Sequence, residues 1–145
     1  MKKILFVLLC LLFIGCSNNK NVDDNNVTIS NPIIEVNSKE ELEDIVGYSV
    51  PLLDKEVENF YVIKDIKHVR IYYKDDSVFE MAKGNDDISG IYGGILEKEE
   101  KINNINVKYY TYNIINYIIW TSNGYSYSYM DNKELNVNEV KELVR

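Results

Sequence analysis

The sequence predicts an α+β domain, an antiparallel β-sheet of about 5–7 strands with a short N-terminal helix and a C-terminal helix packed on one face. Three observations support this class. Apolar residues alternate with polar ones over much of residues 60–130, as in half-buried strands. The pair Asn123-Gly124 separates two such runs and favours a hairpin turn. Capping patterns begin helices near both ends of this region.

The chain opens like a lipoprotein precursor. Lys2 and Lys3 precede an apolar run at residues 4–14, and Gly15-Cys16 follows. Eleven helical residues cover about 16 Å, roughly half of a membrane core, so the run is typical of a cleaved signal peptide. The stretch Phe13-Ile14-Gly15-Cys16 resembles the lipobox of bacterial lipoproteins. That resemblance implies cleavage before Cys16 and lipidation of its thiol, which would anchor the protein on the extracellular face of the cell membrane.

The sequence divides into three parts. Residues 1–15 form the predicted signal peptide, and residues 16–32 form the lipidated cysteine and a flexible tether of mostly polar residues. Residues 33–145 form a single predicted α+β domain. Removal of residues 1–15 takes away two lysines and no acid, so the net charge goes from −7 to −9. This acidic balance argues against nucleic acid as a partner.

Local signals place the first helix and the first hairpin. Ser38 and Glu41 form a capping box, and Gly47 ends the predicted helix at residues 39–46. Residues 60–83 read as strands, and a three-residue loop at residues 75–77 would pair Ile71 with Met81. That loop places five apolar side chains on one face, namely Val69, Ile71, Tyr73, Phe79 and Met81.

The second half of the domain also reads as strands. We predict a glycine-rich loop at residues 83–94, a strand at 95–102, a turn at Asn103-Asn104, a strand at 107–112 and a hairpin at 117–130. In the hairpin an aromatic face opposes a mostly hydroxyl face, which indicates a sheet covered on one side. Asn136 then caps a last helix whose predicted apolar stripe consists of Val137, Val140, Leu143 and Val144.

Several short stretches match a known family. They are Asn31-Pro32-Ile33, the helix ending at Gly47, Ala82-Lys83-Gly84 followed by Asp87-Ile88-Ser89-Gly90, and Trp120 with the Asn123-Gly124 hairpin. Together they resemble the bacterial "domain of unknown function" family 4367, which is frequent in lipoproteins of low-GC Gram-positive bacteria. The resemblance covers about residues 33–145 and brings no catalytic residues. The family usually has a glycine turn where this chain has Asn103-Asn104, and another turn near Glu58.

No residue pattern predicts a reaction. Cys10 and Cys16 both lie in the opening segment, so no disulfide, thiolate metal site or cysteine nucleophile is expected in the domain. The only histidine, His68, is expected to face solvent on a strand. The polar residues of the 85–90 loop match part of an EF-hand, but its twelfth position is Leu96, so a simple turn is favoured. We expect no cofactor and no metal.

Three functions remain open from the sequence. The first is a non-catalytic module that binds or senses a small molecule or a protein at the cell envelope. The second is a small envelope hydrolase using loop carboxylates, for which the candidates are Glu97, Glu99 and Glu100. The third is a subunit that docks a partner through exposed tyrosines, for which the candidates are Tyr72, Tyr110 and Tyr112. Membrane contact is expected only through the lipid on Cys16.

Overall fold

A computed structural model describes residues 31–144, which form one sheet with two short helices. We number the elements in chain order. They are β1 (Ile33–Val36), α1 (Lys39–Val46), β2 (Val57–Ile63), a 3₁₀ turn (Lys64–Ile66), β3 (His68–Tyr73), β4 (Val78–Lys83), β5 (Ile95–Ile102), β6 (Ile105–Tyr112), β7 (Ile115–Ser122), β8 (Tyr125–Asp131) and α2 (Val137–Leu143).

The sheet consists of two four-stranded meanders joined side by side. Its strand order is β1-β2-β3-β4-β8-β7-β6-β5, and every neighbouring pair is antiparallel. The last strand of each meander meets the other at the centre, where Glu80 of β4 lies opposite Ser128 of β8. The chain must therefore travel from the centre of the sheet to its far edge between β4 and β5.

The predicted fold class is wrong in two respects. The described residues contain eight strands instead of 5–7, and the two α-helices have only eight and seven residues, so the domain is mainly β. The four-residue strand β1 pairs with β2 but is too short to show an alternating pattern. Neither helix of the described residues has the length and apolarity needed to cross a membrane.

Local sequence signals correctly predicted the helix α1 and the β7–β8 hairpin. The helix α1 has the predicted bounds, Ser38 Oγ accepts the N–H of Glu41, and Gly47 ends the helix at φ 77°. In the β7–β8 hairpin Trp120 lies opposite Tyr127, as the Asn123-Gly124 turn predicted. Each of these features depends on contacts within a few residues, which sequence patterns record directly.

The predicted register of the β3–β4 hairpin is off by two residues. Ile71 lies opposite Phe79, not Met81, and the three loop residues are 74–76 instead of 75–77. Asp76 takes the left-handed conformation at φ 69°, as the last loop residue of such hairpins does. A shift of two residues keeps every side chain on its face, so the predicted apolar face is correct although the pairing is not.

One face of the sheet, the helix face, carries α1 and α2. Its central row runs through Ile71, Phe79, Tyr129 and Ile118, all of which are buried. The helix α1 packs on β1–β3 and buries Leu42 and Val46. In and after α2, Val140 and Val144 are buried, whereas Val137 is 45% exposed, which corrects the predicted stripe.

Lys55 connects the segment before β2 to α2 and to the sheet. Its Nζ lies 2.9 Å from Asp75 Oδ2 and 2.5 Å from both Glu139 Oε1 and the Tyr129 hydroxyl. The Tyr129 hydroxyl in turn donates to Glu139 at 2.8 Å. A charged network at this position holds α2 over the buried row.

We expect Lys55→Met to lower the free energy of unfolding by about 1–3 kcal/mol, because two partly buried carboxylates lose their cation. Chemical denaturation measures this change. Lys39→Met is the matched control, since Lys39 pairs with a single carboxylate, Glu43, one turn along α1, and such a pair contributes about 0.3–0.5 kcal/mol. If the two variants lost equal amounts of unfolding free energy, the role of Lys55 in holding α2 would be contradicted.

The opposite face, the loop face, is covered by residues 84–94 on their way to β5. A Cβ on Gly94 would overlap the Tyr117 hydroxyl oxygen and would lie 2.9 Å from the Cζ of that ring. The Tyr117 ring is buried and stacks on Tyr110 at 5.1 Å. The prediction of a sheet covered on one side is therefore wrong, because this loop buries Ser126 and Ser128 as well.

We expect Gly94→Ala to lower the free energy of unfolding by about 1–3 kcal/mol, because the new methyl group must displace a packed ring. In a Tyr117→Phe background the same substitution should cost less, since the closest atom is gone. A double-mutant cycle by thermal denaturation measures this coupling. Additive effects would show that the loop does not press on Tyr117.

Candidate functional site

The loop face carries a buried polar cluster at the centre of the sheet. The sheet register places Arg70, Glu80 and Ser128 side by side on β3, β4 and β8. One row further along, Ala82 lies opposite Ser126, and His68 lies on β3 beside them. Because side chains two residues apart on a strand share a face, these residues form one surface beneath the loop.

Glu80 is the most deeply buried charged residue of the cluster. Its exposed fraction is 0%, the Arg70 Nε–H donates to its Oε1, and its Oε2 has no hydrogen-bond partner among the described residues. Burial raises the pKa of Glu80 to about 7, against the opposing effect of Arg70. The Glu80 carboxyl group therefore changes between its protonated and ionised forms near neutral pH.

His68 is buried, which corrects the expected solvent-facing position. Its exposed fraction is 5%, and its Nε2 lies 3.8 Å from Glu80 Oε1 without a hydrogen bond. Burial, with a smaller effect from Arg70, lowers the pKa of His68 to about 4. The imidazole is thus neutral at pH 7 and makes no ion pair with Glu80.

Two buried hydroxyl groups complete the cluster. Ser126 Oγ and Ser128 Oγ have no hydrogen-bond partner within residues 31–144. No hydrogen bond joins either serine to His68, because β4 lies between β3 and β8. The three residue types of a serine hydrolase are present, but they are not assembled as a relay.

A cavity of about 600 Å³ borders this cluster. His68, Arg70 and Ser126 line it from the sheet. The covering loop lines it with Asp86, Asp87, Ile88, Gly90 and Tyr92. Asp87 Oδ1 accepts the N–H of Ser89 at 2.9 Å, which fixes the loop carboxylate. Its charge contributes to the raised pKa values of Glu80 and Tyr117, so it lies over the sheet.

A second cavity of about 290 Å³ adjoins the first. It lies over β1–β3, where the Tyr61 and Tyr72 rings meet edge to face at 5.6 Å. Arg70 and Ile63 line both cavities. The guanidinium group therefore lies where the two spaces meet, and 31% of its side chain is exposed.

The carboxylates predicted for a hydrolase do not converge. Glu97, Glu99 and Glu100 lie on the exposed edge strand β5. Thr111 Oγ1 donates to Glu97 at 2.8 Å, Lys108 lies 3.8 Å from Glu99, and Lys98 lies 2.8 Å from Glu100. Each acid has its own neighbour, as in a solvated strand.

The tyrosines predicted for docking do not form one patch. Tyr72 lies on β3 and Tyr110 on β6, which are four strand spacings or about 19 Å apart. Tyr110 stacks on Tyr117, and Tyr112 is 40% exposed. Tyr110 and Tyr112 lie two residues apart on β6, whereas Tyr72 lies on the same face but far from both.

Two predicted sites remain, the EF-hand-like loop at residues 85–90 and the lipidation site Cys16. The 85–90 loop is the covering loop, and nowhere in residues 31–144 do three or more His, Cys, Asp or Glu side chains converge as metal ligands do. Cys16, the predicted lipidation site, lies outside the described residues.

Comparison with known proteins found no matching family model, curated protein or solved structure. The resemblance to family 4367 therefore stays a prediction.

Sequence reasoning missed the central pair Arg70 and Glu80. Glu80 stands within an otherwise apolar stretch, Val78 to Ala82, where an isolated acid is a signal of a buried partner. The correct register places Arg70 directly opposite. The two-residue register error paired Glu80 with Tyr72 instead and concealed the ion pair.

We expect His68 and Glu80 to give opposite dependences of stability on pH. The pKa of His68 falls from 6.5 to about 4 on folding, so the folded state gains stability as pH rises through that range. The pKa of Glu80 rises from 4.5 to about 7, so stability falls between those values. Each full shift corresponds to about 3 kcal/mol, and the two effects nearly cancel between pH 4.5 and 6.5.

Single variants separate the two effects. Relative to wild type, the free energy of unfolding of His68→Gln should decline as pH rises from 4.5 to 6.5. That of Glu80→Gln should increase over the same range. Urea denaturation at several pH values measures both. Curves parallel to wild type would show that neither group is perturbed by burial.

Proposed function

We propose that this chain is a lipoprotein anchored through Cys16 on the extracellular face of the cell membrane, and that its domain binds a small polar ligand on the loop face. The anchor and the binding site rest on separate observations. The first comes from the opening residues of the sequence and the second from the buried cluster.

The order of residues 2–16 supports the anchor. A basic start, an apolar run too short to span a membrane and a small residue before cysteine match the signal that lipoproteins carry. Two acyl chains are enough for stable attachment, because each buried methylene group contributes about 0.8 kcal/mol.

The unpartnered polar atoms beside the cavity carry the binding proposal. Each buried polar atom without a partner costs about 1–3 kcal/mol, and natural domains contain few of them. Here four lie together, on His68, Glu80, Ser126 and Ser128, and two of these residues line the cavity of about 600 Å³. Cavities of this size with a few convergent polar groups are typical ligand sites.

Mass spectrometry of the protein extracted from its native membranes tests the anchor. We expect a chain beginning at Cys16 with a diacylglyceryl group, which partitions into the detergent phase. Cys16→Ser should abolish both the modification and the partitioning. An intact Met1 or an unmodified Cys16 thiol would contradict the proposal.

Protein-observed NMR with a panel of amino acids, sugars and organic acids tests the binding site. We expect at least one compound to shift the amide signals of Ala82 and Ser126. Ser126→Val and Tyr92→Ala should weaken that response, since both residues line the cavity.

Tyr112→Ala is the matched control, because Tyr112 is an exposed ring on the same face at a distant strand. It should leave the response unchanged. A panel without any hit at the loop face, or hits that depend on Tyr112, would contradict the proposed site.

A further inference from the structure

The cavity beside the buried cluster carries both signs of charge on an apolar wall. Arg70 and Lys83 supply the positive groups, and Asp86 and Asp87 supply the negative ones. The remaining wall is largely apolar, and its main members are Ile63, Ile66, Ile88 and Tyr92. A ligand that matches this wall has one positive group, one negative group and an apolar part.

Arg70 is the natural partner for the negative group. Its Nε–H donates to Glu80, and the Tyr72 hydroxyl is a second side-chain hydrogen-bonding neighbour of the guanidinium group. The guanidinium group has four further N–H donors. One terminal nitrogen lies 3.9 Å from the position of a Cβ on Gly90, which also lines the cavity. A carboxylate fits such a fork with two parallel hydrogen bonds.

Asp87 is the natural partner for the positive group. The N–H of Ser89 fixes one of its carboxylate oxygens, which leaves the other free to accept from an ammonium group. Its influence on the pKa values of Glu80 and Tyr117 shows that its charge acts over the sheet. Asp86, its neighbour, also lines the cavity, but it is not among the charges that raise the pKa values of Glu80 and Tyr117.

We propose that this cavity binds a free apolar α-amino acid, with its carboxylate on Arg70, its ammonium group on Asp87 and its side chain against the isoleucines. The inference rests on the proposed function, because it names the ligand class of the same site. The buried and unpartnered His68 and Ser126 at the floor of the cavity are the independent sign of a built site.

Three probes separate the contributions of the two charges. We would titrate the purified protein with three probes. They are L-leucine, L-leucinamide, which lacks the carboxylate, and N-acetyl-L-leucine, which lacks the ammonium group. Calorimetry should show leucine binding at least about tenfold more tightly than either analogue, since each loses one charge-assisted contact. Equal affinities for the three probes would overturn the inference.

Asp87→Asn tests the ammonium contact without removing the hydrogen bond to Ser89, because the amide oxygen can still accept it. It should weaken leucine binding about tenfold and leave the affinity for N-acetyl-L-leucine unchanged. Asp86→Asn is the matched control, because it removes the same charge one residue away from the proposed contact, and screening over this longer distance should limit its effect to about threefold. Similar losses in the two variants would overturn the assignment of Asp87.

The two proposals can fail separately. If leucine does not bind but a sugar or organic acid of the NMR panel binds and depends on Ser126, the amino-acid inference is wrong and the ligand site stands. If no compound of the panel binds at the loop face, both proposals are wrong.

Discussion

The burial of Glu80 beside Arg70 is the constraint on which the rest of the loop face depends. A carboxyl group at 0% exposure in the centre of a sheet requires a layer that covers it. It must also either pair with a cation or take up a proton and become neutral. The 84–94 loop covers Glu80 and Arg70 pairs with it. The raised pKa of Glu80 allows the carboxyl group to be neutral near pH 7. Replacing a buried ion pair by apolar residues of similar volume often costs no stability, so the Arg70–Glu80 pair is not needed to fill the space.

The strand order explains why such a cover exists. The two meanders meet through β4 and β8, so the chain leaves the centre of the sheet and must reach β5 at the far edge. The shortest route crosses one face. Gly94 permits close contact with Tyr117 along this route, and the polar residues of the loop come to lie over Glu80. The candidate site is therefore a product of the topology as much as of its residues.

Sequence patterns predicted the structural features that depend on residues close in the chain. They missed the features that depend on residues far apart in the chain. The helix α1 and the β7–β8 hairpin follow from a capping box and an Asn-Gly turn. Hydrophobic burial could not distinguish two registers of the β3–β4 hairpin, because both keep the same residues on the same face. Only the correct one brings Arg70 opposite Glu80. The 84–94 loop has no periodic sequence pattern, so its position over the sheet could not be predicted. For this reason His68, which lies beneath it, was expected to face solvent.

Within residues 31–144, β5 forms one edge of the sheet and has no strand beyond it. An unpaired strand at the end of a sheet can recruit another strand and start aggregation. In β5 the residues Glu97, Lys98, Glu99, Glu100 and Lys101 place charges on both sides of the ribbon, and an irregularity between Leu96 and Lys98 interrupts its regular spacing. Edge-to-edge pairing of neighbouring molecules would have to desolvate these charges and accommodate a mismatched backbone, which disfavours it.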